Sequence, residues 1–128
     1  MQTPFEFKSR IRSVRLAAQG LGLTLRSQPN ARIHAVATVA AVIAGCGLGI
    51  SRTEWCLVVL ACAAVWTAEA MNTAVEFLGD ATTKDFHPLV GLAKDVAAGA
   101  VLISALAALV VGGLVFGPHL VALAHLTR

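Results

Sequence analysis

Charged side chains are scarce in this sequence, making up 13% of its 128 residues against about a quarter in an ordinary soluble domain. Hydrophobic residues reach 57%, and tyrosine is absent. Three stretches contain no Asp, Glu, Lys or Arg: 19 residues at 33–51, 14 at 55–68 and 32 at 96–127. Too little polar surface remains to cover a soluble domain, so the sequence indicates an integral membrane protein. Disorder, a secreted disulfide-stabilised domain and a nucleic-acid-binding domain are disfavoured.

Cysteine is also too sparse to form a framework. Cys46, Cys56 and Cys62 lie in or at the edge of apolar runs, are odd in number and lack metal-ligand spacing. We interpret them as small buried residues.

Basic residues are concentrated at one end. Six of the ten precede the first apolar run, with only Glu6 to oppose them: Lys8, Arg10, Arg12, Arg15, Arg26 and Arg32. By the positive-inside rule, we expect a cytoplasmic N-terminus. Anionic lipid headgroups, and not nucleic acid, are the expected partner of this cluster.

The first segment, at about residues 5–27, has the pattern of an amphipathic helix lying on the membrane surface. Arginines stand between apolar residues that recur every three or four positions: Phe7, Ile11, Val14, Ala18, Leu21 and Leu25. Pro29 and Asn30 then interrupt the helical pattern.

Three spanning helices follow, at about 31–50, 54–81 and 89–116. In the first, Gly45 and Gly49 either allow close helix contact or end the helix. Gly117 and Pro118 are expected to stop the third helix, leaving a solvated outer tail with His119, His125 and Arg128. The predicted fold is an all-α membrane protein with a single domain spanning 1–128.

The second spanning helix carries a polar stripe. At about 100° per residue, its members project from one side within an arc of about 80° and cover roughly 16 Å of the helix axis: Glu69, Asn72, Glu76 and Asp80. A carboxylate at membrane depth costs at least about 2.5 kcal/mol unless it is paired or hydrated. A counter-charge is therefore expected, either from Lys94, which precedes Asp95, or from a bound divalent cation.

Carboxylate and amide oxygens suit magnesium, which completes its shell with water and substrate phosphates, so this arrangement implies a nucleotide. Phosphoryl transfer to a lipid alcohol would use one carboxylate to take the hydroxyl proton, another to hold magnesium, and a cation to meet the phosphates. The sequence has no Walker-type glycine-rich loop, so side chains and helix ends must hold the nucleotide. A buried ion-pair network that only fixes helix register is the alternative. We favour function.

At these residues the sequence resembles the small prokaryotic diacylglycerol kinase and undecaprenol kinase family. The matching text is Glu69-Ala-Met-Asn72-Thr-Ala-Val-Glu76-Phe-Leu-Gly-Asp80, His87-Pro88-Leu-Val-Gly-Leu-Ala-Lys94-Asp95 and, upstream, Asn30-Ala-Arg32-Ile33-His34. The resemblance covers about residues 10–115. It implies a homotrimer whose subunits share active sites, each with a surface helix and three spanning helices, and MgATP as phosphate donor.

The resemblance also implies residue roles. Glu69 matches the catalytic base and Glu76 a metal-binding carboxylate, and the supporting polar stripe includes Asn72 and Asp80. Gln28 stands where the family usually has a second metal-binding Glu, so its amide would ligate magnesium without adding charge. The positions that match nucleotide contacts are Asp85, Phe86, His87, Lys94 and Asp95, together with either Arg10 or Arg12 on the surface helix.

The upstream text and the His87-Pro88-Leu89 text look more like the undecaprenol kinase branch, so undecaprenol is favoured as substrate. Diacylglycerol, which would give phosphatidic acid, is the alternative. The expected location is the bacterial inner membrane, with the N-terminus inside and the C-terminus outside.

Two functions of other classes stay open. One is a small proton-coupled or ion transporter in which Glu69 and Glu76 relay protons, and the other is a packing subunit without activity. His34 is interpreted as a polar residue that snorkels at the membrane boundary.

Overall fold

The computed structural model describes residues 7–126, with side chains from residue 9 onward, and contains four helices and no strand within that range. Helix α1 comprises Phe7–Ser27, α2 Pro29–Leu48, α3 Arg52–Thr82 and α4 Pro88–Leu126. The last three are long and apolar enough to cross a membrane, and an 18-residue stretch within each has a mean hydropathy of 1.6, 1.5 and 2.5 respectively. The predicted all-α membrane fold is confirmed. The expected helix start at residue 5 lies outside the described residues.

A single residue, Gln28, separates α1 from α2. Its backbone is extended (φ −107°, ψ 118°), and Pro29 follows in the first turn of α2, where a missing N–H costs nothing. Arg32 reaches back from α2 and donates from Nη2 to the carbonyl oxygen of Arg26 at 2.8 Å. This contact satisfies a carbonyl at the end of α1 and fixes the elbow that carries Gln28.

The two glycines near the turn between α2 and α3 have different roles: Gly49 ends the helix and Gly45 allows close contact. Gly49 caps α2 in the left-handed conformation (φ 63°), which favours glycine. A Cβ on Gly45 would lie 2.6 Å from Trp55 Cη2, so glycine at this position allows close approach. Ser51 and Glu54 then form a capping box that starts α3.

Helix α4 does not stop at Gly117 and Pro118, as the sequence predicted, but continues for ten residues beyond residue 116. Pro118 removes one backbone donor, a loss that long spanning helices tolerate. His119 was expected to be solvated, yet its Nε2 lies 2.9 Å from Glu54 Oε1. This contact ties the extended end of α4 to the start of α3. Arg128 lies outside the described residues.

Helices α3 and α4 run antiparallel and form the most extensive packing between elements. Near the α2–α3 turn, Ile50, Val58 and Val115 are buried together. Cys46 and Cys56 are exposed and not buried as expected, because their helices turn these faces away from the bundle. Much of the remaining surface is apolar, which suits contact with lipid tails or with other chains.

Candidate active site

Glu69 is the centre of the site. It lies on α3, and only 1% of its surface is exposed. Its Oε2 is 3.8 Å from Nε2 of His34 on α2, a distance too long for a hydrogen bond. Neither carboxylate oxygen of Glu69, nor Nε2 of His34, has a hydrogen-bond partner among the described residues. Buried polar atoms of this kind are costly unless a ligand or water meets them, so they mark a position for a polar ligand.

Glu76 lies two helical turns further along the same face. Its Oε1 accepts a hydrogen bond from Asn72 Nδ2 at 3.2 Å, and its Oε2 accepts one from Gln28 Nε2. The α1–α2 elbow therefore carries Gln28 onto the polar stripe of α3. Sequence reasoning grouped these three residues, and the structure brings them into direct contact.

The residues around Glu76 offer oxygen donors to a cation. Asn72 Oδ1 is buried and has no hydrogen-bond partner within the described chain, and the amide of Gln28, whose Nε2 contacts Glu76, carries a second oxygen. No cluster of three or more His, Cys, Asp or Glu side chains occurs within residues 9–126. One carboxylate with two amide oxygens fits a magnesium ion that also takes water and phosphate oxygens, and does not make a closed protein cage.

Lys94 forms an ion pair with Asp80, the last residue of the polar stripe. Its Nζ lies 2.5 Å from Asp80 Oδ1. Gly79 leaves room for the lysine stem, since a Cβ there would lie 2.8 Å from Lys94 Cε. Lys94 therefore balances Asp80, whereas Glu69 and Glu76 make no contact of this kind with Lys or Arg in the described part of the chain.

The other predicted nucleotide contacts lie on the surface. Residues 83–87 form the exposed loop before α4, where Phe86 is 90% exposed. Asp95 is exposed one position after Lys94. Arg10 and Arg12 are exposed on α1, and the 16 residues from Arg12 to Gln28 correspond to about 24 Å of helix. Along α1, these arginines therefore lie far from the elbow that carries Gln28.

His34 is the residue that sequence reasoning assigned differently. It does not snorkel, because it faces Glu69 from the neighbouring helix. Thr38 lies one turn after His34 on α2, and its Oγ1 accepts a hydrogen bond from Trp66 Nε1 of α3 at 3.1 Å. This bond holds α2 against α3 at the level of the site. The sequence did contain one signal for a functional role of His34, namely a titratable residue inside an apolar helix.

Comparison with known proteins identifies the family of this chain. The family model described as prokaryotic diacylglycerol kinase matches residues 15–116, more than half of the chain. This chain belongs to the prokaryotic diacylglycerol kinase family. The family consists of lipid kinases, which confirms the predicted enzyme class, the phosphorylation of a lipid alcohol and the use of ATP. With three helices able to span a membrane, this member of the family is an inner-membrane protein.

Individual relatives differ in their named substrate. Undecaprenol kinase of Bacillus subtilis is 38% identical over 104 residues, which cover 81% of this chain and 85% of that protein. Diacylglycerol kinase of Synechocystis sp. is 38% identical over 112 residues, covering 87% and 64%. Diacylglycerol kinase of Escherichia coli is 28% identical over 101 residues, covering 79% and 83%.

Proposed function

We propose that this chain transfers the γ-phosphate of ATP to the hydroxyl group of undecaprenol, giving undecaprenyl phosphate and ADP. The observation that carries this proposal is the buried carboxylate of Glu69, whose oxygens have no hydrogen-bond partner among the described residues. It lies two helical turns along the same face of α3 from the oxygen-rich cluster around Glu76. The lipid oxygen forms the new bond to phosphorus, the bond from the γ-phosphorus to the bridging oxygen breaks, and ADP leaves with that electron pair.

Glu69 takes the proton that the lipid hydroxyl loses. A side chain acting in this way must reach the hydroxyl directly, and Glu69 lies within an apolar segment where a lipid hydroxyl can approach from the bilayer. His34, 3.8 Å away, is positioned to orient the carboxylate or the incoming hydroxyl. Because the site is buried, water is a poor competitor for the phosphoryl group.

Glu76, Gln28 and Asn72 would hold magnesium, which when bound would supply neutralisation of the phosphate charge during transfer. The hydrogen bonds from both amides orient the Glu76 carboxylate and keep the elbow of α1 and α2 against α3. Asn72 lies between Glu69 and Glu76 along the helix, so a phosphate bound by the cluster lies near the base.

Lys94 and Asp95 contact the nucleotide at the cytoplasmic start of α4, with Asp85, Phe86 and His87 of the preceding loop beside them. The Lys94–Asp80 pair keeps the ammonium group at this end of the site. Arg10 or Arg12 also contacts the nucleotide, but these residues lie about 27 Å and about 24 Å of helix from Gln28. They therefore serve the site of a neighbouring subunit, which supports a homotrimer with shared sites.

Undecaprenol is preferred over diacylglycerol because the text at residues 30–34 and 87–89 looks more like the undecaprenol kinase branch. The 38% identity to the undecaprenol kinase of Bacillus subtilis supports the same choice. Diacylglycerol remains the second candidate, since a diacylglycerol kinase of equal identity is also a relative. The N-terminus is cytoplasmic, and the end of α4 lies outside.

The test follows the γ-phosphate of labelled ATP into undecaprenol and diacylglycerol presented together in mixed micelles, for the wild type, Glu69→Gln and Glu54→Gln. We expect undecaprenyl phosphate as the main product of the wild type. Glu69→Gln should be nearly inactive, whereas Glu54→Gln, at the far end of the same helix and still able to form a capping box, should stay active. A wild type that phosphorylates neither lipid would refute the kinase proposal.

A further inference from the structure

A largely apolar cavity of about 440 Å³ lies between α2, α3 and α4. This volume is typical of a pocket for a small molecule. Of the side chains around it, only His34 and Thr38 on α2 and Cys62 on α3 carry a polar or sulfur atom. The others are hydrocarbon or glycine and include Ala37, Val58, Val65, Ala105, Gly112 and Phe116.

The polar end of the cavity is at the active site. His34 lines the cavity, and its Nε2 lies 3.8 Å from Glu69 Oε2. The pairs Asp80–Lys94 and Glu54–His119 fix the register of α3 against α4. In that register, Ala105 lies level with Glu69.

The other end of the cavity is closed. By the same register, Phe116 lies level with Val58, and both line this end. Val58 belongs to the buried cluster with Ile50 and Val115, against which Phe116 packs. The eleven residues from Val58 to Glu69 correspond to about 16 Å along the helix.

We propose that this cavity holds the part of the substrate's hydrocarbon tail that is next to the hydroxyl group, and that its closed end sets how much of the tail the protein contacts. The inference rests on the proposed function, since it deepens the binding site for the lipid alcohol. A molecule with one hydroxyl on a hydrocarbon chain matches both ends: the oxygens of Glu69 without hydrogen-bond partners at one, and the apolar cluster at the other.

Water is a poor occupant of this space, because few polar groups line the cavity. A slender hydrocarbon chain fits both the volume and the chemistry.

The experiment measures kcat/KM for a series of isoprenoid alcohols of increasing length, from the shortest to undecaprenol. We compare the wild type with Gly112→Leu near the closed end, Ala105→Leu at the end near Glu69, and Ala107→Leu as the control. Ala107 is exposed on α4 and does not line the cavity. A Cβ on Gly112 meets nothing within 4 Å, so a side chain can enter the cavity there without a clash.

For the wild type, kcat/KM should rise with chain length until the cavity is full and then level off. Gly112→Leu should reach its plateau at a shorter alcohol. Each CH₂ group that it excludes is worth about fourfold in kcat/KM, so the plateau should fall by at least about tenfold while the shortest alcohol is unaffected. Ala105→Leu should lower kcat/KM for every alcohol, and Ala107→Leu should match the wild type.

The inference is overturned if Gly112→Leu and Ala107→Leu give the same dependence on chain length. It is also overturned if Gly112→Leu lowers all alcohols by one factor and changes the oligomer measured by size exclusion, because the cavity would then belong to an interface between copies. Failure of the proposed function gives a different result, namely no phosphorylation of any alcohol by the wild type.

Discussion

Replacing Gln28 with Glu tests the proposed metal site most directly. Gln28 Nε2 donates to Glu76 Oε2. The substitution removes that donor and places a second carboxylate beside the first. With no metal bound the two charges repel, whereas a divalent ion between them binds both.

The magnitude follows from Coulomb's law. Two unit charges 4 Å apart interact by about 4 kcal/mol at an effective dielectric constant of 20, so a divalent ion gains about 8 kcal/mol of attraction from the added carboxylate. Desolvation and displaced water cancel most of this gain. If only a fifth survives, it corresponds to more than a tenfold change in affinity. We therefore expect the free magnesium concentration for half-maximal activity to fall at least tenfold.

The assay varies free magnesium at a fixed concentration of MgATP, so that nucleotide binding stays constant. A second measurement follows thermal unfolding in detergent, with and without magnesium and without nucleotide. Gln28→Glu should melt several degrees below the wild type in chelator, because of the repulsion, and should recover more on adding magnesium, because the ion binds only the folded site.

Gln19→Glu is the matched control. It adds the same charge on α1, at an exposed position nine residues before Gln28. If both variants shift the magnesium titration equally, the effect is a general attraction of cations to the surface. If Gln28→Glu changes neither the titration nor the response of melting to magnesium, Gln28 does not belong to the metal site.

Three further predictions test other parts of the site. Glu69→Gln should lower kcat about 10²- to 10⁴-fold, the usual contribution of a general base, with little change in KM for ATP; an active variant would remove Glu69 as the base. Lys94→Met should raise KM for ATP at least about tenfold, and a change confined to KM for the lipid would contradict a nucleotide contact. Gly79→Ala should destabilise the protein by about 1–3 kcal/mol because its Cβ meets the lysine stem, whereas Gly91→Ala, whose Cβ meets nothing within 4 Å, should not; equal melting temperatures would contradict this packing.

The polar stripe could be predicted from the sequence because helix periodicity alone determines which side chains share a face. Glu69, Asn72 and Glu76 needed only the angle per residue. The contact of Gln28 with Glu76 required more, because it depends on how a one-residue elbow directs α1 and α2 against α3. No local sequence pattern predicts the angle of this elbow. The assignment of Gln28 to the metal site came from the family resemblance.

The end of α4 and the position of His34 were not predicted, and both depend on contacts between helices. The local sequence at Pro118 predicts the end of a helix. The contact between His119 and Glu54, however, joins the continued α4 to a helix distant in sequence. His34 is one polar residue in an apolar run. Only the packing of α2 against α3 places it opposite Glu69.

The proposed role of the α1 arginines predicts that one chain does not make a complete site. A nucleotide contact requires a group within a few ångströms of the phosphates, whereas Arg12 lies about 24 Å of helix away from Gln28. Many large apolar side chains of the spanning helices are exposed in the single chain, including Ile43 and Leu109. An assembly that covers part of this surface can also bring α1 of one copy to the carboxylates of another. We therefore expect a mixture of inactive Glu69→Gln chains and inactive chains lacking Arg10 and Arg12 to recover activity when co-assembled, which chains that act alone would not do.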